Sequence, residues 1–555
     1  MTLEDLGVHP SASDLDPHVP PAPAGAFRPM VVAAVGLAVV VGLVGRFVTV
    51  SPMWLDEALT VNIARLPLGE VPEALRHDGA PPLYYYLLHA WMAVAGTGDL
   101  AARALSGLLA TASLPLVWLA GRRLVGDRGE EKARWAAWAA VLLLASSPFA
   151  IRYATEARMY SLVVLLVLVG YLSLDTVLHD SDSVDSVDSA DSGRRSRAAT
   201  VVLGVATGLL LLTHYWSFFL VASVAALLVL RARNADPALR AGGRRALKAM
   251  VVGSLLFLPW LPSFLEQMGS TGTPWGRPPR PRVLFDVIFQ FTGGYVETAL
   301  PLALLVYGLL ALGLFGSASR AGPGGSDVVA LDLRGRPPGR MLAAVTVATM
   351  ILAITVGQLT NSAFAVRYAA VVLPTVVLLA ALGSTHLSGA RAGPVVLGLA
   401  VVLGFVTSIP SLAGDRTSAA QVAAAIRDGA QPGDVVAYCP DQLGPAVNRL
   451  LEGRSPAGLV QLTFPRAGAP ELVDWVGYED ANEAATTGPF ARMLLDRAGA
   501  DQSVWVVWAP GYRTFGAKCE GLLTDLRQAR PQEQRVVKVS TNTPERPGLV
   551  RYPPR

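Results

Sequence analysis

An α-helical polytopic membrane protein with a C-terminal α/β domain is the fold class this chain predicts. Hydrophobic residues fill 52% of its 555 positions and charged residues 16%, with a mean hydropathy of +0.43. Soluble chains carry about a quarter charged residues. Apolar runs recur from Met30 to about residue 413, and about 20 such residues at 1.5 Å rise cross roughly 30 Å of hydrocarbon. From about Gly414 the pattern changes to short β-branched runs alternating with helical ones, the mark of an α/β domain.

Residues 1–29, rich in Pro, Ala and Asp without periodicity, predict a disordered leader. The first span, 30–50, is apolar except for Arg46 and Thr49, and is long enough to cross rather than be cleaved as a signal. Residues 51–100 form a long loop. It holds a helix over Ala58 to Ala64 and a short apolar one over Leu83 to Ala95, too short to span and therefore interfacial or re-entrant. Further spans are predicted at 101–121, 135–151, 161–178, 198–213, 215–231, 249–266, 298–316, 341–360, 366–384 and 394–413, about eleven in all. The Asp-Ser tract from Asp180 to Ser192 predicts a flexible acidic linker. The chain thus divides into the leader 1–29, a membrane domain 30–413 and a C-terminal domain 414–555. In that last domain, 433–438, 459–464, 503–508 and 535–539 predict strands, and 417–428, 442–451, 490–498 and 521–528 predict helices.

The net charge of +4 is spread over loops, which argues orientation and against a nucleic-acid partner. Alternate loops carry Arg122, Arg123, Arg128, Lys132 and Arg134, then Arg194, Arg195 and Arg197, then Arg231, Arg233, Arg240, Arg244, Arg245 and Lys248, and finally Arg320, Arg334, Arg336 and Arg340. Basic loops stay inside, so the leader is expected to be cytoplasmic. The 51–100 loop and the C-terminal domain are then expected to lie outside the plasma membrane. The only two cysteines, Cys439 and Cys519, fall in that outside domain. They are expected to form a disulfide there; two buried free thiols are the alternative.

On the same outer face, polar residues gather. Asp56 and Glu57 stand side by side at a membrane boundary, where acids are costly to strip of water unless a partner is supplied. They are either part of a chemical site or two solvated acids favoured by the helix dipole. Arg152, Glu156 and Tyr160 are spaced by four, which predicts one helix face: an ion pair that lets a loop helix form, or a site carboxylate held by its arginine. His214, beside Tyr215 and Trp216, reads as an interfacial anchor or a site residue. Arg367, with Tyr368, sits where a phosphate clamp could form, or where an arginine snorkels. Arg277, Arg280 and Arg282 lie in a Pro-rich outer loop and could meet lipid phosphate. Together these clusters suggest a cavity at the outer leaflet for a polar substrate on a lipid anchor.

A resemblance runs through these residues. Trp54-Leu55-Asp56-Glu57, Asp78-Gly79-Ala80-Pro81-Pro82-Leu83-Tyr84-Tyr85, Arg103-Ala104-Leu105-Ser106, Tyr153-Ala154-Thr155-Glu156-Ala157-Arg158-Met159-Tyr160 and Arg367-Tyr368 occur in this order within about residues 30–415. The set resembles the protein O-mannosyltransferase and aminoarabinose transferase branch of the GT-C glycosyltransferases, family 39-like. The C-terminal domain resembles only the habit of such enzymes to carry an outside domain. The resemblance implies a sugar, mannose before a pentose, carried on a polyprenyl phosphate. It is transferred with inversion to a hydroxyl on a glycan, glycolipid or protein. Asp56 matches the catalytic base. Glu57 and Glu156 are implied to orient acceptor or sugar, and Arg367 with Arg158 to hold the donor phosphate. His77 and Asp78 are implied to line the acceptor side; Tyr153, Tyr160, His214 and Tyr368 complete the substrate-binding set. Some members bind a divalent metal near the first loop, and the ligand spacing here leaves that open.

A transporter or lipid flippase would also have many spans, but with ionisable groups inside them and often internal repeats. Here span interiors are mostly Leu, Val and Ala, and no repeat is evident. A mere anchor for an outside binding domain would need one or two spans rather than about eleven.

Overall fold

The computed structural model describes residues 24–126, 129–182, 189–234, 236–272, 276–294, 296–317, 320–321, 327–328, 331–335, 337–388 and 392–554. The predicted leader up to residue 23 and residues 183–188 of the acidic linker lie outside these. The chain opens with α1 (Ala24–Gly45), then a cluster of three short helices, α2 (Leu55–Arg65), α3 (Val71–Asp78) and α4 (Leu83–Ala95). Next come α5 (Asp99–Val125), α6 (Glu130–Ala145), α7 (Pro148–Ala154), α8 (Tyr160–Asp182), α9 (Ser189–Leu211) and α10 (Ser217–Ala232). They are followed by α11 (Pro237–Ser254), α12 (Leu261–Ser270), α13 (Val283–Phe291) and α14 (Ala299–Phe315). A two-stranded hairpin, β1 (Arg320–Ala321) and β2 (Asp327–Val328), leads to α15 (Pro337–Leu359), α16 (Leu373–Ser384) and α17 (Ala392–Ala413).

Each predicted apolar run is helical. Six helical stretches among the described residues are long and apolar enough to cross a membrane, and α6 with α7, bent by 57°, makes a seventh. The difference from eleven is one of length and composition. α10 has 16 residues and α14 has 17, and α9 begins with a Ser- and Arg-rich turn. Helix α3 lies in a stretch predicted as loop. Pro72 starts it, and Gly79 ends it in the left-handed region (φ 81°), donating its N–H to the Leu75 carbonyl at 2.9 Å. Arg46, the one charge inside the first predicted span, is 1% exposed. It donates to the carbonyls of Gly42, Leu144 and Ala145 at 2.6–3.1 Å, so it satisfies acceptors at the C-terminal end of α6.

Helix α16 is apolar on every side and all twelve of its residues are buried, as expected of a helix at the centre of a bundle. It approaches α14 at Gly383, where any added Cβ would land on the Leu309 carbonyl oxygen. Backbones pack this closely only across small residues. Gly383→Val is therefore expected to lower stability by about 1–3 kcal/mol through overpacking; the thermal midpoint of the purified protein checks it.

The C-terminal unit contains α18 (Ala419–Gly429), β3 (Val435–Cys439), α19 (Gly444–Leu451), β4 (Val460–Thr463), α20 (Tyr478–Ala484), α21 (Thr487–Ala498), β5 (Val504–Trp508), α22 (Lys518–Ala529), β6 (Gln534–Val537) and β7 (Gly548–Tyr552). The strand order is β4-β3-β5-β7-β6. β3 runs parallel to both β4 and β5, whereas β7 is antiparallel to β5 and β6. All five residues of β3 are buried, as befits a strand covered on both faces. Cys439 at its end is bonded to Cys519 of α22, with Cα atoms 5.5 Å apart.

Asp434, Asp441 and Glu545 of this unit are buried. Burial pushes the Asp441 carboxyl up to about 7, although it accepts from the Tyr478 hydroxyl and the Gln442 N–H and faces Arg466. Burial pushes Glu545 up to about 8, with Asp56 and Glu57 adding to the rise and Thr417 and the Leu55 N–H opposing it. Such acids stay protonated in the folded chain after they would ionise in the unfolded one, at about 4–4.5. The stability they contribute is complete below that range and is lost as pH rises through 7 and 8. The thermal midpoint is expected to fall as pH is raised across this window, and Asp441→Asn to flatten the slope; differential scanning calorimetry reads both.

Candidate active site

Asp56 and Glu57 sit in the first turn of α2 and meet different surroundings. Glu57 is fully buried. Both its oxygens accept from Arg103, the Nε–H and an Nη–H each at 2.7 Å, and Oε1 also takes the Ala157 N–H at 3.0 Å. Arg416 Nη1 stands 3.5 Å from Glu57 and 3.6 Å from Glu156, whose other arginine, Arg152, is 2.8 Å away. Burial raises the Glu57 carboxyl; the hydrogen bond and charge of Arg103, the charge of Arg416 and the Ala157 N–H outweigh it, so the group is held below the usual carboxylate range. Arg416 also donates to the Thr155 carbonyl and hydroxyl, and its backbone N–H to Ser51.

Asp56 meets a different arginine. Its carboxylate lies 3.1 Å from Arg367, and the two side chains are 16% and 21% exposed. The Arg367 guanidinium lies over the Trp54 and Tyr368 rings at 5.7 and 5.6 Å, within cation–π range of both. Arg158 donates to the Thr60 hydroxyl at 2.6 Å and to the Asp56 carbonyl at 3.3 Å. Asp78 accepts from the Tyr85 hydroxyl at 2.8 Å. Its carboxyl is raised by burial, which the Arg158 charge only partly offsets. An aromatic chain runs beside them, with ring centroids 4.8 Å apart for Tyr153 and Tyr160, 5.7 Å for Tyr160 and His214, and 5.2 Å for His214 and Tyr368. His214 accepts the Trp216 N–H on Nδ1 at 3.1 Å.

The structure thus gathers Asp56, Asp78, Arg158, Tyr153, Tyr160, His214, Arg367 and Tyr368 into one cluster. Three expectations change. Glu57 and Glu156, expected to orient acceptor or sugar, turn instead into the buried Arg103–Arg416 cluster, and both are 0% exposed. The single helix face expected for Arg152, Glu156 and Tyr160 is broken: α7 ends at Ala154 and α8 begins at Tyr160. The Ala157 N–H is spent on Glu57 rather than on a helical carbonyl. His77 turns to the C-terminal unit, its Nδ1 2.8 Å from Asp474. Among the described residues no three His, Cys, Asp or Glu side chains are grouped to hold a metal ion, and Asp56 is engaged by arginine.

No known protein-family model matches the chain, and no curated protein sequence does. Solved structures do. The aminoarabinose transferase ArnT from Cupriavidus metallidurans, bound to undecaprenyl phosphate, superposes with a TM-score of 0.56 at 15% identity, covering 94% of this chain and 98% of that one. Its apo state gives 0.57 at 15%, over 95% and 98%. This chain has the GT-C fold. The Archaeoglobus fulgidus oligosaccharyltransferase, at 12% identity and a TM-score of 0.46 over 89% of this chain and 70% of that one, is too distant to add to it.

Within the GT-C fold, two arginines that hold the acids were not among the site residues read from sequence. Arg103 had a visible signal, a charge four residues into an apolar run. Arg416 had none, because the residues it donates to lie 261 to 365 residues earlier.

Proposed function

We propose that this chain is a multi-pass plasma-membrane glycosyltransferase. It moves a sugar from a polyprenyl-phosphate donor to an acceptor hydroxyl on the outer face, with its N-terminus inside and its C-terminal unit outside. One juxtaposition carries this function: the Asp56 carboxylate 3.1 Å from the Arg367 guanidinium, on a fold shared over 94% of the chain with a transferase that binds undecaprenyl phosphate. The donor phosphate draws Arg367, with Arg158 beside it, and leaves an Asp56 oxygen for the acceptor hydroxyl. Asp56 takes the hydroxyl proton as the acceptor oxygen bonds to the anomeric carbon from the face opposite the phosphate. The bond from that carbon to phosphate breaks, configuration inverts, and the lipid phosphate leaves with its charge offset by arginine. Mannose is the first donor sugar to try, on the strength of the sequence resemblance.

The test is transfer from a labelled polyprenyl-phosphate sugar panel in acceptor-rich membranes holding the wild-type chain or Asp56→Asn. Label moving only with the wild type supports the enzyme; no transfer from any donor by folded protein moves the function towards lipid-linked transport. Arg367→Ala is expected to weaken donor binding by roughly ten- to a hundredfold and acceptor binding much less. Equal losses for donor and acceptor, measured by titration, would remove the clamp role.

A further inference from the structure

Helix α2 has no cap of its own. The residue before it is Trp54, whose side chain makes no capping hydrogen bond, and the N–H of its first residue, Leu55, has no carbonyl one turn back to bond. That N–H donates to Oε1 of Glu545, 490 residues away, at 3.1 Å. Glu545 lies in the connection from β6 to β7 and is 4% exposed. Its backbone is pinned on both sides: its N–H donates to the Arg416 carbonyl at 3.1 Å, and its carbonyl accepts from Ser418 at 3.2 Å. Arg416 is the residue that stands between Glu57 and Glu156. The C-terminal unit therefore meets the acid-bearing helix at two coupled points, its first N–H and its buried carboxylate.

We propose that Glu545 is a positioning residue: the C-terminal unit uses its side chain as the missing N-cap of α2, and so sets where Asp56 stands. The catalytic consequence rests on Asp56 being the base; the capping does not. No charge is needed for the role, since a neutral carboxyl or an amide offers the same acceptor oxygen. The contacts from α19 to the other end of α2 fit a docked unit rather than a tethered one: Glu452 grips Arg65 through both oxygens, at 2.6 and 2.7 Å.

The experiment compares Glu545→Ala and Glu545→Gln in the full-length protein in lipid nanodiscs. Amide hydrogen exchange over residues 54–58 reads the cap directly, and transfer kinetics read its effect. Glu545→Ala is expected to speed exchange there by about tenfold. It is also expected to lower kcat by roughly ten- to a hundredfold, as a misplaced catalytic group does, with donor KM little changed. Glu545→Gln is expected to restore both. If the alanine variant does not fold, Glu545→Met keeps the volume without the acceptor and is held to the same outcomes. Unchanged exchange in the alanine variant overturns the proposal, and so does a glutamine variant as impaired as alanine. Should the wild type transfer no sugar at all, the function above fails, while the exchange result still decides the cap.

Discussion

Asp56→Asn is expected to lower transfer by roughly a hundred- to ten-thousandfold, the contribution a positioned general base makes, while the fold survives. Asparagine keeps the shape and one acceptor oxygen but cannot take a proton. The ion pair it breaks, 3.1 Å from Arg367, is largely buried, with side chains 16% and 21% exposed, but asparagine leaves a neutral acceptor oxygen for the guanidinium, so the loss is expected to stay below the roughly 3–5 kcal/mol of a buried pair cut from one side. Arg367 keeps its contacts with the Trp54 and Tyr368 rings and, no longer shared with a carboxylate, is expected to hold the donor phosphate at least as tightly. Donor binding, circular dichroism and turnover measured on one preparation separate these effects. Full turnover in the asparagine variant would sink the base assignment, and weakened donor binding would argue that Asp56 serves the lipid rather than the hydroxyl.

The other large effect is on stability. Arg103→Met leaves the Glu57 carboxylate fully buried with only Arg416, 3.5 Å away, and the Ala157 N–H for company. Breaking a buried pair from one side costs about 3–5 kcal/mol, enough to unfold a marginal protein. Arg103→Lys is expected to rescue little, because a single ammonium cannot reproduce the two parallel 2.7 Å bonds. The double variant Glu57→Leu with Arg103→Met is expected to be less unstable than the sum of the two single changes, since it leaves no orphaned charge. Thermal midpoints of the four proteins complete the cycle; strict additivity would mean that the two side chains do not act as a pair.

What was legible in the chain follows from the range over which each signal acts. Apolar runs are local, and every one proved helical; so did Leu83 to Ala95, which forms α4 with the same bounds. Helix α3 stayed hidden because it buries only Val71 and Leu75, too few for a periodic pattern. Strand β7 was missed because Pro547 before it, Gly548 at its start and Pro553 after it read as loop. Its central place comes from ladders to β5 and β6, not from its own residues. Spacing by four at Arg152, Glu156 and Tyr160 matched a helix, yet the Arg152–Glu156 pair forms across a turn. Acids and arginines of the site were visible as residue types at one membrane face. Which acid faces out and which is locked away depends on Arg103, Arg416 and Ala157, and spacing alone carries no such information.

The Leu55–Glu545 bond also has a meaning in time. A chain made from its N-terminus at about 5–20 residues per second takes roughly 25–100 s to travel the 490 residues between these partners. Helix α2 therefore reaches the bilayer long before its cap exists. Strand β7, the central neighbour of both β5 and β6, is the last strand to be made, so the sheet that delivers Glu545 closes only after everything before it has been synthesised. A half-made chain already in the membrane carries most acids and arginines of the site but lacks the contact that fixes their helix, and acquires it only once Glu545 has been made.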